Sequence, residues 1–343
     1  MTTTALTAPS GASRIKALFG GGSMREAGIL LALVVVVIAA TALNPDFLFS
    51  HDGWRNFLVI PAPLMLIAVG QAIVIITRNV DISVGSMVGL SAYLTGWMFK
   101  NFPDVPVILV IVSALLLGAL LGLVNGMLVA FAKVPAMVIT LGTLYAYRGI
   151  NVLWTGSNRI NKADMPAGFL KLGTMQFLTI PVLTIIALIV LIIAAWYMKN
   201  IRSGRELYAI GSDPDAAKLY GLKTTRRVLV AFILSGVLSG LAGVFFAARY
   251  GTVDSQAASG WEFDAIGAAV IGGVAIVGGV GSVWGAAIGA FLLMTINRAL
   301  PILGIPSFWQ QAVVGALIIG AIVLDRVLAL RQKRRLIEAR DES

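Results

Sequence analysis

Lys199–Arg227 reads KNIRSGRELYAIGSDPDAAKLYGLKTTRR, a 29-residue charged stretch set between two long apolar runs at 177–198 and 228–248. Each flank matches the roughly 20 apolar residues that cross a bilayer as a helix. The charged stretch therefore predicts a large loop at one membrane face, where a short turn would have sufficed. A loop this long and this basic reads as a docking surface for something outside the bilayer.

Working outward, composition agrees. Hydrophobic residues make up 58% of the 343-residue chain, charged residues only 12%, and the mean hydropathy is +0.92. A soluble domain carries about 25% charged residues. The apolar runs are continuous rather than alternating, which points to helical spans and not to barrel strands. The expected fold is an all-α polytopic membrane protein of about ten transmembrane helices, at 27–43, 57–77, 82–99, 106–131, 136–155, 177–198, 228–248, 264–279, 282–300 and 308–328. The 264–279 and 282–300 pieces are short and Gly-rich, so tilted, broken or partly re-entrant forms stay open. Residues 57–155 hold four spans starting from one side and 228–328 four starting from the other, the pattern of an inverted repeat of two four-helix halves. The transmembrane domain is 27–328, with a loop at 199–227 and tails at 1–26 and 329–343.

Charge orients the spans. With both termini cytoplasmic, eighteen Lys and Arg fall inside and eight outside, as the positive-inside rule requires. Nine acids inside and seven outside leave +9 within and +1 without, so the net charge of +10 is a topogenic signal and no nucleic acid is expected as a partner. Ala40-Thr41-Ala42 has the form of a signal-peptidase site, but the long, weakly basic tail before it favours an uncleaved first span.

Catalytic chemistry is not expected. Cysteine is absent, and the single histidine, His51, reads as a solvated loop residue. The dipeptide Gly-Lys does not occur, so there is no P-loop, and neither H-E-x-x-H nor G-x-S-x-G is present. GGVGSVWG at 278–285 misses G-x-G-x-x-G by one residue and follows an apolar span. No catalytic residue, metal site or cofactor bound by this chain is expected.

Polar groups within the spans are few. Asp81, Asp264 and Asp325 fall near predicted span ends, and Asp81 suits a helix start. Without a chain of mid-membrane carboxylates, a proton relay or Na⁺ cage has little support. Gln71, Asn125, Thr140, Thr143 and Asn151 sit in otherwise apolar helices, where they either line a solute path or join helices by hydrogen bonds. Small residues recur four apart at Gly85/Gly89, Gly118/Gly122/Gly126, Gly236/Gly240 and Gly281/Gly285/Gly289, which suits close helix packing or sliding during gating. Trp154, Trp261 and Trp309 read as interfacial anchors. Within the charged loop, Asp213 can cap a helix, Pro214 suits its first position, Asp215 favours its dipole and Gly221 can take the left-handed C′ position. A short helix over 214–220 follows, delimited cleanly enough to fit a groove on a partner.

Four blocks then carry a resemblance: TRNVDISVGSMVGL (77–90), VPAMVITLGTLYAYRGI (134–150), SGRELYAIGSDPDAAKLYGL (203–222) and WEFDAIGAAVIGGVAIVGGVGSVWGAAIGA (261–290). The chain resembles the permease subunits of ABC sugar importers, the ribose/xylose/arabinose group within the superfamily that also holds branched-chain amino-acid permeases. LWTG at 153–156 and IPSFW at 305–309 look most like the branch importing autoinducer-2 and rhamnose. Many sugar permeases read Gly-Ile-Asp where this chain has Asn79-Val80-Asp81, a departure that points toward the signal or deoxyhexose branch.

The resemblance implies a bacterial inner-membrane subunit that moves a sugar-like solute by alternating access. Its partners would be ABC ATPase subunits carrying ATP and Mg²⁺, a second identical or similar permease, a periplasmic or lipid-anchored solute-binding protein, and membrane lipid. It assigns ATPase coupling to Gly204, Arg205, Glu206, Ala209, Asp213, Asp215, Ala216 and Gly221. The first block becomes a helix-start and gating motif of Asn79, Asp81, Ser83 and Gly85. Branched-chain amino-acid import and ion-coupled secondary transport are the competing expectations.

Overall fold

The structure, a computed structural model, describes residues 22–306 apart from 133 and 157, and scattered positions between 309 and 323. Most of the expected N-terminal tail, most of the 308–328 span, Asp325 and the 329–343 tail lie outside the described residues.

The chain is helical. It opens with α1 (Gly22–Leu43), α2 (Asp46–Phe49), α3 (His51–Val59) and α4 (Pro61–Ile76), followed by α5 (Val84–Asn101), α6 (Val107–Ala132) and α7 (Ala136–Thr155). A short α8 (Ala167–Leu172) and a hairpin of β1 (Gln176–Phe177) and β2 (Ile180–Pro181) lead into α9 (Val182–Asn200). The charged stretch holds α10 (Arg202–Ser212) and α11 (Pro214–Leu219), followed by α12 (Thr224–Tyr250), α13 (Trp261–Ile271) and α14 (Val283–Ala299). Among the described residues, five segments are long and apolar enough to cross a membrane: Glu26–Leu43, His51–Ile76, Val107–Ala132, Val182–Asn200 and Thr224–Tyr250. Helices α5 and α7 fall on expected spans, but Gly, Ser, Thr and Asn on their inner faces dilute their apolar character.

Two expected spans change shape. The one at 177–198 begins only at Val182, because Leu178 and Thr179 take positive φ (47° and 71°) and turn the chain into the hairpin. The one at 264–279 starts earlier, at Trp261, and stops at Ile271. Gly273, Gly278, Gly279 and Gly281 then all adopt positive φ, which a helix does not allow. At about 1.5 Å per residue, α13 spans roughly half a hydrocarbon core.

Every residue of α4 is buried. Apart from Gln71 it is apolar on all sides, and a helix of that kind belongs in the centre. Helices α9, α12, α13 and α14 pack around it. On the periphery the pattern inverts: Leu31, Leu116 and Ile193 point outward at 65%, 64% and 59% exposure. That outer apolar belt suits hydrocarbon, not water.

The four-apart glycines meet one another. A Cβ on Gly118 would collide with the carbonyl of Gly236, and one on Gly240 with that of Ala114, so α6 and α12 touch backbone to backbone. Gly285 and Gly289 face Gly272 and Ala268 in the same way, which closes α13 against α14. Trp154 and Trp261 prove to be packed in ring clusters, with Tyr93 at 5.2 Å and Phe246 at 5.4 Å, while Trp309 is 54% exposed.

Candidate functional site

The charged stretch folds into a shelf at one end of the bundle. Its second helix forms as its residues dictate: the Asp213 carboxylate accepts from the N–H groups of Asp215 and Ala216 (3.0 Å each), Pro214 occupies the first turn, and Gly221 takes φ +76°. Helix α10, eleven residues long, is one the sequence reading missed. Its signal was present: Gly204, Leu207, Ile210 and Gly211 recur at helical spacing and form its buried face.

Of the residues assigned to coupling, Arg205, Ala209, Asp213, Asp215 and Gly221 are exposed and Ala216 is half-buried. Gly204 packs against the backbone of Tyr197 and Met198. Glu206 is committed internally, since it accepts from Arg202 Nε (2.8 Å) and from Arg227 Nε, tying α10 to the start of α12. The Arg227 hydrogen bond, followed by the Arg202 contacts, holds its carboxyl below the usual glutamate range. Sequence reasoning passed over Leu219 and Tyr220, which stand 89% and 87% exposed at the tip of α11. Large apolar side chains presented to water beside a capped helix are what a docking surface displays.

The shelf is pinned to the bundle at one junction. Gly211 lies so close to the Ile76 carbonyl and Gly279 N–H that no side chain fits, and Gly279 N–H itself donates to Ile76 O (2.9 Å). Arg78, held at φ +65°, donates from Nε to Val277 O (2.7 Å) and from Nη2 to Ser212 O (3.4 Å). Tyr208 Oη donates to Gly281 O (3.1 Å). The end of α4, the glycine loop 272–282 and α10 are thus clamped together.

Three residues beyond Arg78 lies a buried polar knot. Asp81 Oδ1 accepts from Ser83 N–H (3.0 Å), Ser83 Oγ (2.7 Å) and Asn125 Nδ2 (3.2 Å). Gln71, with its amide oriented to give complementary partners, donates to Asp81 O (3.1 Å) and accepts from Asp81 N–H (3.2 Å). Thr140 Oγ1 donates to Val80 O (3.0 Å), and Tyr147 Oη donates to Asn125 Oδ1 (3.1 Å). Asp81 stands just ahead of α5, at the helix start expected of it, and Asp81, Ser83, Gln71, Asn125 and Thr140 are all fully buried. The structure brings Asp81 and Ser83 of the gating motif and three of the five path candidates into one hydrogen-bonded unit. The Asn79 side chain turns back to Thr77, and Thr143 donates along its own helix to Thr140 O.

Asn151 belongs to a second cluster, together with two charged residues the sequence reading did not place in the membrane. Asn151 Nδ2 donates to Ser255 O (3.2 Å), and Arg148 Nη1 donates to Ala257 O (2.9 Å). These bonds hold the irregular 251–260 segment against Gly89 on α5. Glu262, in the first turn of α13, lies against Gly85 at 6% exposure. Its position two residues ahead of the expected span start had hidden it.

An exposed shelf is thus joined to a buried polar motif. The family model for the branched-chain amino acid transport system / permease component matches residues 54–322. The chain belongs to this permease family. The permease is also similar to the autoinducer 2 import system permease protein LsrC of Salmonella paratyphi B, at 38% identity over 312 residues, covering 91% of this chain and 89% of the relative. The protein of the same name from Enterobacter sp. is 37% identical over 301 residues (88% and 86%), and that of Escherichia coli K12 / DH10B is 36% identical over 312 residues (91% and 90%). No solved structure matches the permease.

Proposed function

We propose that this permease is the membrane subunit of an ATP-driven importer for a sugar-like solute of the autoinducer-2 type. It works in the bacterial inner membrane with both termini cytoplasmic. The observation that carries the reading is the similarity to autoinducer 2 import permeases along nine-tenths of the chain. The pinned shelf supplies the mechanism. A separate ATPase dimer grips α11, with Leu219 and Tyr220 as anchors and Asp215 as a charged contact. Its closure pushes α10, and Ile76, Arg78 and the glycine loop pass the push to the Asp81 knot. A second permease completes the path, and a solute-binding protein delivers the cargo from the opposite face. The chain itself binds no ATP, Mg²⁺ or metal and does no catalysis.

The ten-span, inverted-repeat architecture is part of the same reading. Two units, α4-α5-α6 and α12-α13-α14, each run from a long helix through an irregular stretch into a helix that starts beside a buried carboxylate. Their packing is reciprocal: α6 lies on α12, while α14 lies on α4. Gln71 and Asn125 act in the knot as the gate's fastening, while Asn151, Arg148 and Glu262 fasten its counterpart.

Branched-chain amino-acid import is the second reading, favoured by the description of the matching family. Reconstitution with the ATPase and binding protein, followed by uptake of a furanosyl signal, ribose, rhamnose and leucine, separates the two. The expected result is ATP-dependent uptake of a sugar-like solute. Leucine uptake would support the second reading, and ATP-independent pumping by the chain alone would refute both.

A further inference from the structure

A cavity of about 790 Å³ lies at the shelf end of the bundle, between the end of α9, the first turns of α10 and the start of α14. We infer that it is a binding site for the headgroup of an anionic phospholipid of the adjoining leaflet.

Its walls have the two parts such a ligand needs. Trp196 and Trp284 stand at the mouth, 56% and 42% exposed, where α9 ends and α14 begins. Tryptophan prefers that boundary between hydrocarbon and headgroup. One turn deeper on α9, Ile192 and Ile193 are 55% and 59% exposed and offer an apolar track for an acyl chain.

The polar wall is cationic. Lys199 and Arg205 line it, and no Asp or Glu does. Among the described residues neither cation is paired with a carboxylate: Arg205 Nη1 donates to the carbonyls of Asn200 (2.8 Å) and Lys199 (3.4 Å). The neighbouring Glu206 is already taken by Arg202 and Arg227. Two unneutralised cations at the membrane surface attract anionic headgroups, and each contributes about fivefold in affinity. The cavity abuts α10, so a bound lipid would brace the shelf from the membrane side, whichever solute the permease carries.

The test uses the purified full chain in nanodiscs of phosphatidylcholine. Tryptophan quenching by brominated phosphatidylglycerol is compared with quenching by brominated phosphatidylcholine at the same mole fraction. The phosphatidylglycerol should quench several-fold more effectively. The pair Trp196→Phe with Trp284→Phe should abolish that excess, and Lys199→Gln with Arg205→Gln should reduce it more than tenfold, while Lys218→Gln leaves it intact. Salt near 1 M shortens the screening length to about 3 Å, so on the wild type it should erase the excess even if the glutamine pair fails to reconstitute. Equal quenching by the two lipids, or an excess that survives both salt and the tryptophan exchange, would overturn the site. Competition by millimolar glycerol phosphate would overturn the lipid assignment in favour of a soluble phosphate.

Discussion

Gly211 is the residue on which the transmission of force rests. Its α-carbon is the point where α10, the Ile76 carbonyl and the Gly279 amide converge, and all three neighbours are backbone. Backbone cannot swing aside as a side chain can, so Gly211→Val should lift α10 off the bundle. In the reconstituted complex, solute moved per ATP should fall at least about tenfold while basal hydrolysis persists, because a misplacement of about 1 Å is enough for losses of that order. Wild-type stoichiometry would refute the junction's role. Glu206 tests the other fastening. Its carboxyl titrates below the usual 4.5, so its contribution is complete above that value and fades as pH falls through the lower, folded-state value. Glu206→Gln should therefore loosen the shelf at neutral pH, by about 1 kcal/mol, and flatten the acid limb of a stability profile measured by thermal shift in detergent. The Asp213 cap was legible in the sequence because its partners are two and three residues away. The role of Asp81 was not, since Asn125 lies 44 positions along the chain and no local pattern announces it.

At the scale of the element, the seam between α6 and α12 is tight enough to predict from. Gly118→Val drives a branched side chain into the Gly236 carbonyl, and overpacking of this kind costs about 1–3 kcal/mol. Detergent melting curves should register it, and the reciprocal Gly236→Val should cost a similar amount. Helix α11 makes the opposite prediction: Leu219→Ala with Tyr220→Ala should leave the melting curve unchanged, because both side chains are 87% or more exposed. The same pair should weaken ATPase binding at least tenfold, as loss of anchor residues does, and unchanged affinity would remove α11 from the interface. The spacing of the glycines was readable because close helix contact leaves a four-residue signature. Helix α10 was overlooked because its charged outer face masked a buried stripe of four residues.

For the whole molecule, the sequence reading located most long helices within a few residues, since continuous hydrophobicity is a strong and local signal. It failed where glycine φ values end α13 and where the hairpin delays α9, both decisions of backbone geometry that hydropathy does not record. Topology is open to a direct test, because the chain contains no cysteine. A single Cys at Ser212 should react with a membrane-impermeant maleimide only from the cytoplasmic side, and one at Arg159 only from the periplasmic side. The reverse pattern would invert the molecule.

The almost unbroken greasiness of α4 bears on how the protein is made. A newly synthesised helix leaves the translocon before later parts of the chain exist, and α4 can wait in lipid at little cost because Gln71 is its one polar side chain. Helix α5 has no such freedom. Its small, hydroxyl-bearing face needs α12, whose first residue is synthesised more than a hundred residues afterwards. Nascent chains stalled before Thr224 should accordingly keep α4 embedded while leaving α5 vulnerable to membrane proteases.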